Sequence, residues 1–113
     1  MRQGEIWDIN LSPTVGAEIK KKRPAVIIND DAIGVLPLRV IVPITEWKKK
    51  FYGAVWMVKI EPNSENKLSK PSAIDCFQIR SVSTRRLLRK IGSVPAEILN
   101  EIKTAVKAVI DAD

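Results

Sequence analysis

Histidine is missing from this chain, and cysteine occurs once, at position 76. Without histidine there can be no histidine general base, no Ser–His pair and no histidine-bound metal. The lone Cys76 excludes an internal disulfide and, since histidine is also lacking, zinc sites of the usual kinds. The Gly-rich phosphate loops of the two common types are absent as well. Any catalysis must therefore use Arg, Lys, Asp, Glu, Ser, Thr, Tyr or Cys.

Long apolar runs are missing too. No stretch approaches the roughly 18–20 residues of a membrane span, and the N-terminus lacks the apolar segment of a secretory signal. With the single cysteine, these absences predict a cytoplasmic protein that has no membrane partner. A chain of 113 residues is expected to form one domain, 1–113, with a core of its own.

Positive charge is in excess, because 19 Lys and Arg against 13 Asp and Glu give a net charge of +6. This balance favours an anionic partner, most commonly nucleic acid, although simple solubility explains it equally well. The densest charge lies between Pro13 and Pro24, where Glu18 precedes the four cations from Lys20 to Arg23. The connection is longer than a hairpin needs. Cations at the mouth of a small sheet suit a phosphate ligand.

Short apolar, β-branched runs predict six strands, with a loop at 62–66 between the fourth and fifth. We expect the strands at Glu5–Asn10, Arg23–Asn29, Leu38–Thr45, Ala54–Ile60, Ser72–Val82 and Leu87–Val94. The second run is almost entirely apolar, as in a central strand.

The period of the pattern changes after Pro95, which suits the first position of a helix. Seven apolar residues then recur at helical spacing and predict one amphipathic helix: Ile98, Leu99, Ile102, Ala105, Val106, Val109 and Ile110. The apolar stripe is expected to pack on the sheet. The fold class is therefore mainly β with a C-terminal helix, a small and strongly bent antiparallel β-barrel that the helix closes.

Several blocks, in this order, resemble the MazF/PemK (Kid) toxins of type II toxin–antitoxin systems. The blocks are Gly4–Trp7, Pro13–Glu18, Arg23–Asn29, Val42–Thr45, Gln78–Val82, Arg85–Leu87 and Lys90–Gly92. No block is specific alone, but their order and spacing cover nearly the whole chain.

The resemblance implies an SH3-like barrel of the CcdB/PemK type that forms a homodimer. It implies a sequence-specific, metal-independent endoribonuclease without cofactors, which cuts single-stranded RNA such as mRNA. It also implies neutralisation by a cognate MazE-like antitoxin, whose disordered tail covers the RNA site. In such chemistry the RNA 2′-hydroxyl attacks the phosphorus, which leaves a 2′,3′-cyclic phosphate and a 5′-hydroxyl. DNA lacks that nucleophile.

Three residues are the predicted catalytic groups. The resemblance implies that Arg23, in the Arg-Pro pair, stabilises the pentavalent transition state, which a forked guanidinium suits. It gives Thr45 a catalytic hydroxyl that can bind the phosphate, the alternative being an ordinary strand threonine. Glu18 matches an acidic position of the family's first loop. It is expected either to hold Arg23, to contact RNA, or to be a solvated loop carboxylate.

Gln78 and Arg80 are predicted on one face of a strand, because side chains alternate along it. Glutamine can contact a base edge and arginine a phosphate, although Arg80 is equally a candidate for a structural or dimer contact. Some Kid-like members have an acidic general base just before this glutamine, where this chain has Phe77. Phe77 is expected in the core rather than as a platform for base stacking. Asp75 is expected on the same strand face as Phe77, and which residue is the general base stays open.

Two groups of lysines complete the predicted RNA-binding set. Lys48 and Lys49 lie in a loop with interleaved aromatics, which suits single-stranded RNA but is also typical of a solvated hairpin tip. Lys20, Lys21 and Lys22 are expected to tune RNA affinity. Trp7 and Trp56 are expected inside strands, in the core or the dimer interface, and Cys76 as a buried residue that is not a nucleophile.

Two other functions fit the same residues. A CcdB-like gyrase poison would share the fold and act on a protein, and a non-catalytic nucleic-acid-binding barrel would share the basic charge. The Arg23-Pro24 pair and Thr45 favour the ribonuclease.

Overall fold

A computed structural model of the chain describes residues 1–13, 15–18 and 22–113. These form seven strands and one α-helix: β1 (Glu5–Asn10), β2 (Lys22–Ile27), β3 (Leu38–Glu46), β4 (Met57–Ile60), β5 (Ser72–Asp75), β6 (Arg80–Ser83), β7 (Leu87–Ser93) and α1 (Ala96–Val109). Short 3-10 turns occupy Asp31–Ile33, Lys49–Phe51, Cys76–Gln78 and Thr84–Arg86. The predicted mainly β fold with a C-terminal helix is confirmed.

All strand pairs are antiparallel, and the strands follow the spatial order β4-β5-β3-β2-β1-β7, with β6 paired to β3. The prediction that β2 is central is confirmed, since it lies between β1 and β3. Among the described residues the pairing path ends at β4 and at β7. The sheet is thus a single antiparallel path, and closure into a barrel stays a prediction.

Two apolar clusters cover the two faces of the central strands. The first contains Val26, Val42 and Ile44 together with Ile102 and Ala105 of α1, so the helix packs on the sheet as its stripe predicts. The second, on the opposite face, comprises Ile9, Leu11, Ala25, Ile27, Ile41, Val82 and Leu87. Because β2 is covered on both faces, its near-continuous apolar run is explained.

One predicted strand is two. The run from Ser72 to Val82 is interrupted by the 3-10 turn Cys76–Gln78, which the Asp75 carboxylate caps by accepting the Phe77 N–H at 3.1 Å. The fourth strand is also shorter than predicted, because the Met57 N–H donates to the Ala54 carbonyl at 3.1 Å in a turn. In the described part of the chain, no helix is long and apolar enough to span a membrane.

Glu5 ties the first strand to the last. Burial alone would raise the pKa of the Glu5 carboxyl. Hydrogen bonds from Trp7 Nε1 at 3.0 Å and from the Arg2 N–H at 2.9 Å lower that pKa. The Lys90 ammonium and the N-terminal amine of Met1, each at 3.2 Å, lower it further. The resulting pKa is about 2. The ionised carboxylate therefore stabilises the folded state.

We expect this carboxylate to contribute to acid stability. The pKa of this carboxyl falls from 4.5 in the unfolded chain to about 2 in the folded one. Its stabilising contribution is therefore complete above the unfolded-state pKa of 4.5 and is lost as the pH falls toward the folded-state pKa of about 2. Its size should be roughly 2–3 kcal/mol. Urea unfolding at pH 7 and at pH 3 should show a smaller loss of stability for Glu5→Gln than for the wild type. The exposed-site control Glu101→Gln should keep the wild-type loss, and an unchanged pH dependence in Glu5→Gln would contradict this assignment.

Candidate active site

Arg23 and Thr45 lie at the same end of the two central strands. The antiparallel pairing of β2 with β3 runs from Ile27 opposite Ile41 to Ala25 opposite Pro43. Arg23 and Thr45 each lie two residues beyond that last pair. The sheet register thus brings together two predicted catalytic residues that are far apart in sequence.

The two side chains line one pocket of about 230 Å³, called here the Arg23 pocket. Its other walls come from the ends of β3 and β5 and from the loop that joins β4 to β5. The lining residues are Arg23, Pro24, Ile44, Thr45, Glu46, Leu68, Ser69, Lys70 and Ser72. Arg23 is exposed, and no described residue forms a hydrogen bond or an ion pair with its guanidinium. An unpaired guanidinium beside hydroxyl groups is suited to binding a phosphate.

Gln78 and Arg80 do not share a strand face, which corrects the prediction. Gln78 ends the 3-10 turn after β5, whereas Arg80 begins β6. The capping carboxylate of Asp75 accepts a hydrogen bond from Gln78 Nε2 at 3.0 Å, so the same buried carboxylate positions the turn and the amide. The expectation that Asp75 and Phe77 share a strand face fails for the same reason.

A second pocket nevertheless gathers Gln78 and Arg80. This Gln78 pocket, of about 430 Å³, is lined by Leu11, Glu18, Pro43, Gln78, Ile79 and Arg80. Arg80 pairs with Ile41, which lies on the same face of β3 as Thr45, roughly 13 Å away along the strand. The Gln78 pocket therefore lies beside the Arg23 pocket along β3.

Glu18 belongs to the Gln78 pocket and not to the Arg23 pocket. Its Oε1 accepts the Val15 N–H at 2.6 Å, and its own N–H donates to the Val15 carbonyl at 3.2 Å. Among the described residues it makes no ion pair with Arg23. The expectation that Glu18 holds Arg23 is thus not met in this structure, and contact with RNA stays a prediction.

Phe77 is not in the core, which corrects another prediction. Its side chain is 64% exposed, and it meets Trp56, itself 40% exposed, edge to face with centroids 6.2 Å apart. Trp56 precedes β4 rather than lying inside it, whereas Trp7 lies in β1 and packs against the second cluster. Phe77 also lines a small pocket with Ala17, Glu18 and Gln78. An exposed aromatic beside a polar pocket suits base stacking.

The predicted lysines are spread around the site rather than inside it. Lys22 is exposed at the start of β2, next to Arg23. Lys48 and Lys49 are exposed just after β3, and neither lines the Arg23 pocket. Lys20 and Lys21 lie outside the described residues.

Sequence reasoning missed Glu46, Ser69 and Lys70, which line the Arg23 pocket. Lys70 Nζ lies 3.4 Å from Glu46 Oε2, so an ion pair spans the rim. The signal for Glu46 was its position directly after Thr45. Lys70 and Ser69 carry no local signal, because only the fold of the 61–71 loop brings them to this pocket.

Asn66 holds that loop in place, although it lies outside the pocket. It is 1% exposed. Its Oδ1 accepts the N–H groups of Asn63 and Leu68, each at 3.0 Å, and its Nδ2 donates to the Glu61 carbonyl at 2.8 Å. These hydrogen bonds hold together the loop that forms this wall of the pocket.

Cys76 is buried, as predicted. Burial, with the nearby negative charge of Asp75, raises the pKa of its thiol to about 12. The thiolate is the nucleophilic form, so Cys76 does not act as a nucleophile at neutral pH.

The rest of the described structure adds no further group to the site. A pocket of about 460 Å³ between β4 and α1 contains none of the predicted site residues. Within residues 1–13, 15–18 and 22–113, no three His, Cys, Asp or Glu side chains form a group that could hold a metal ion.

The chain is similar to known proteins over nearly its whole length. The family model of the PemK-like, MazF-like toxins of type II toxin–antitoxin systems matches residues 2–110. The chain is 34% identical to endoribonuclease MazF9 of Mycobacterium tuberculosis, over 98% of this chain and 97% of that protein. It is 32% identical to endoribonuclease MazF of Staphylococcus saprophyticus, over 94% and 88% of the two chains.

The fold is also that of solved structures. MazF from Deinococcus radiodurans superposes with a TM-score of 0.82 at 24% identity, covering 98% of this chain and 96% of that one. A mycobacterial endoribonuclease in complex with its cognate antitoxin superposes with a TM-score of 0.78 at 17% identity, covering 100% and 97% of the two chains. At these identities the likeness describes the fold alone.

Proposed function

This chain belongs to the PemK-like, MazF-like toxins of type II toxin–antitoxin systems, and we propose that it is an endoribonuclease that cuts single-stranded RNA at short sequence motifs. The observation that carries the proposal is the placement of Arg23 and Thr45 in one pocket at the end of two adjacent strands. The two relatives described above, from Mycobacterium tuberculosis and Staphylococcus saprophyticus, are endoribonucleases.

The proposed reaction needs no metal or other cofactor. The RNA 2′-hydroxyl attacks the adjacent phosphorus, and the P–O5′ bond breaks to leave a 2′,3′-cyclic phosphate and a 5′-hydroxyl. Arg23 binds the non-bridging phosphate oxygens and stabilises the charge that develops on them. The Thr45 hydroxyl donates to the same phosphate and fixes its orientation.

Neighbouring nucleotides are proposed to lie along the Gln78 pocket. Gln78 and Glu18 would contact base edges, and Arg80 a phosphate. The exposed ring of Phe77 would serve as a surface for base stacking, the alternative to a core position that the sequence also allowed. The lysines at 20–22, 48 and 49 attract the RNA through its charge, and binding should therefore weaken as salt rises.

The proposed partners are a second copy of this chain and a cognate antitoxin. A relative of the same fold was solved with its antitoxin. The net charge of +6 is complementary to an acidic, disordered antitoxin tail, which would cover the RNA site. Toxin and antitoxin would meet in the cytoplasm, where mRNA is available.

The reaction can be tested directly with a long single-stranded RNA in EDTA. We expect discrete cuts whose 5′ ends accept phosphate from polynucleotide kinase without phosphatase treatment. An oligonucleotide with a single 2′-deoxy substitution on the 5′ side of a mapped cut should resist cleavage by at least about 10³-fold, because the nucleophile is gone.

The same assay separates the alternatives. Retention of RNA without any cut would support a binding barrel, and inhibition of gyrase with intact RNA would support a gyrase poison. Cleavage of the 2′-deoxy oligonucleotide at the same position would contradict the 2′-hydroxyl mechanism.

A further inference from the structure

The proposed reaction requires a group that accepts the proton of the 2′-hydroxyl, and the chain has no histidine to do so. Two of the carboxylates near the site are already engaged. Asp75 is 6% exposed and accepts hydrogen bonds from both the Phe77 N–H and Gln78 Nε2. Glu18 accepts the Val15 N–H and lines the neighbouring pocket. Neither lies in the Arg23 pocket.

Glu46 is the carboxylate that lines the Arg23 pocket in the described part of the chain. It follows Thr45 directly and ends β3. Its side chain is 55% exposed and therefore open to a substrate, and it forms an ion pair with Lys70 Nζ at 3.4 Å. An exposed pair of this kind is weak, so the carboxylate can turn toward a bound nucleotide.

We propose that Glu46 is the general base of the reaction, an inference that rests on the ribonuclease function proposed above. The carboxylate takes the proton of the 2′-hydroxyl as the O2′–P bond forms and the P–O5′ bond breaks. The leaving O5′ takes a proton from solvent, and the neutral Glu46 carboxyl returns its proton to solvent. Geometry is the first requirement for a general base, and the observation that supports Glu46 is that it lines the same pocket as Arg23 and Thr45.

Lys70 has a supporting role in this arrangement. A carboxylate beside a phosphate diester is repelled by it, and the Lys70 ammonium at 3.4 Å offsets part of that repulsion. The loop that carries Lys70 is held by the buried Asn66. Lys70 is thus a positioning residue, whereas Glu46 touches the reacting hydroxyl.

Single-turnover cleavage of a mapped RNA substrate by Glu46→Gln tests the proposal. We expect the rate to fall about 10²–10⁴-fold, the usual contribution of a general base. The acidic limb of the pH–rate profile should disappear in Glu46→Gln, and Glu46→Asp should restore part of the rate and of that limb. Binding of the 2′-deoxy oligonucleotide should stay equal or become tighter, because a negative charge has been removed.

Glu61→Gln is the matched control, since Glu61 is also exposed and pairs with a lysine, Lys59, at 3.6 Å, outside the pocket. It should cleave at the wild-type rate. Wild-type cleavage by Glu46→Gln, or an unchanged acidic limb, would overturn the proposal. So would an equal loss of RNA affinity and rate, which would make Glu46 a binding or structural residue. A wild type that cuts no RNA would contradict the ribonuclease function itself. An active wild type with an equally active Glu46→Gln would contradict only the role of Glu46, so the two failures are distinguishable.

Discussion

Arg23→Ala should lower RNA cleavage by about 10²–10³-fold and leave the melting temperature within a degree or two of the wild type. The loss of rate follows from removal of the main positive charge at the phosphate, since a single oxyanion donor contributes about 10²–10³-fold. The stability should hold because Arg23 is exposed and has no hydrogen bond or ion pair with any described residue. Single-turnover kinetics and thermal unfolding measure the two effects separately.

Two further variants sharpen this test. Lys22→Ala removes a cation from the adjacent exposed position on β2 and should weaken RNA binding only severalfold, with a nearly normal maximal rate. Arg23→Lys keeps the charge but loses the forked donors, so it should recover only a small part of the rate. A drop of several degrees in the melting temperature of Arg23→Ala would instead indicate a structural arginine, and equal effects of Arg23→Ala and Lys22→Ala would indicate general electrostatic attraction.

Gly92→Ala should destabilise the protein by roughly 3–5 kcal/mol, which corresponds to a fall in melting temperature of roughly 15–25 °C. A methyl group on Gly92 would lie 2.7 Å from the Asn66 carbonyl oxygen and still closer to the Glu65 carbonyl oxygen. Both contacts are with backbone, so no rotamer change relieves them. The loop at 61–71 would have to move away from β7.

Movement of that loop should also be visible in function. It carries Ser69 and Lys70 into the Arg23 pocket, so Gly92→Ala should cleave more slowly than wild type even well below its melting temperature. Gly53→Ala is the control, because Gly53 has φ +82° but nothing within 4 Å of the added methyl group. It should lose only about 1 kcal/mol from backbone strain. A similar small loss in Gly92→Ala would show that the loop does not pack on β7 as described.

Most of the fold was predictable because its signals are local. The β-branched runs identified the strands, and the helical spacing from Ile98 to Ile110 identified α1 and its contact with the sheet. The division of Ser72–Val82 was missed because a three-residue turn leaves the apolar pattern intact. Its cause is the Asp75 side chain bonded to the Phe77 N–H. That single turn moved Gln78 off the strand and exposed Phe77.

The site was predictable only in part. Arg23 and Thr45 were identified through a family resemblance; they line one pocket because the pairing of β2 with β3 brings the ends of these two strands together. Glu46 and Lys70 depend on a long-range approach between the end of β3 and a loop, for which no spacing rule exists. The exposure of Phe77 follows instead from the local turn that the Asp75 side chain caps.

The two ends of the loop at 61–71 lie next to each other, since Ile60 of β4 pairs with Ser72 of β5. One wall of the Arg23 pocket is therefore a segment whose length and sequence can change without shifting the register of any strand. That freedom is limited by the close approach of Glu65 and Asn66 to Gly92, by the hydrogen bond from the Ser93 N–H to the Glu65 carbonyl, and by the packing of Leu68 on the first cluster. Exchange of this loop between relatives is thus a route to altered substrate choice that leaves the Arg23 and Thr45 scaffold unchanged.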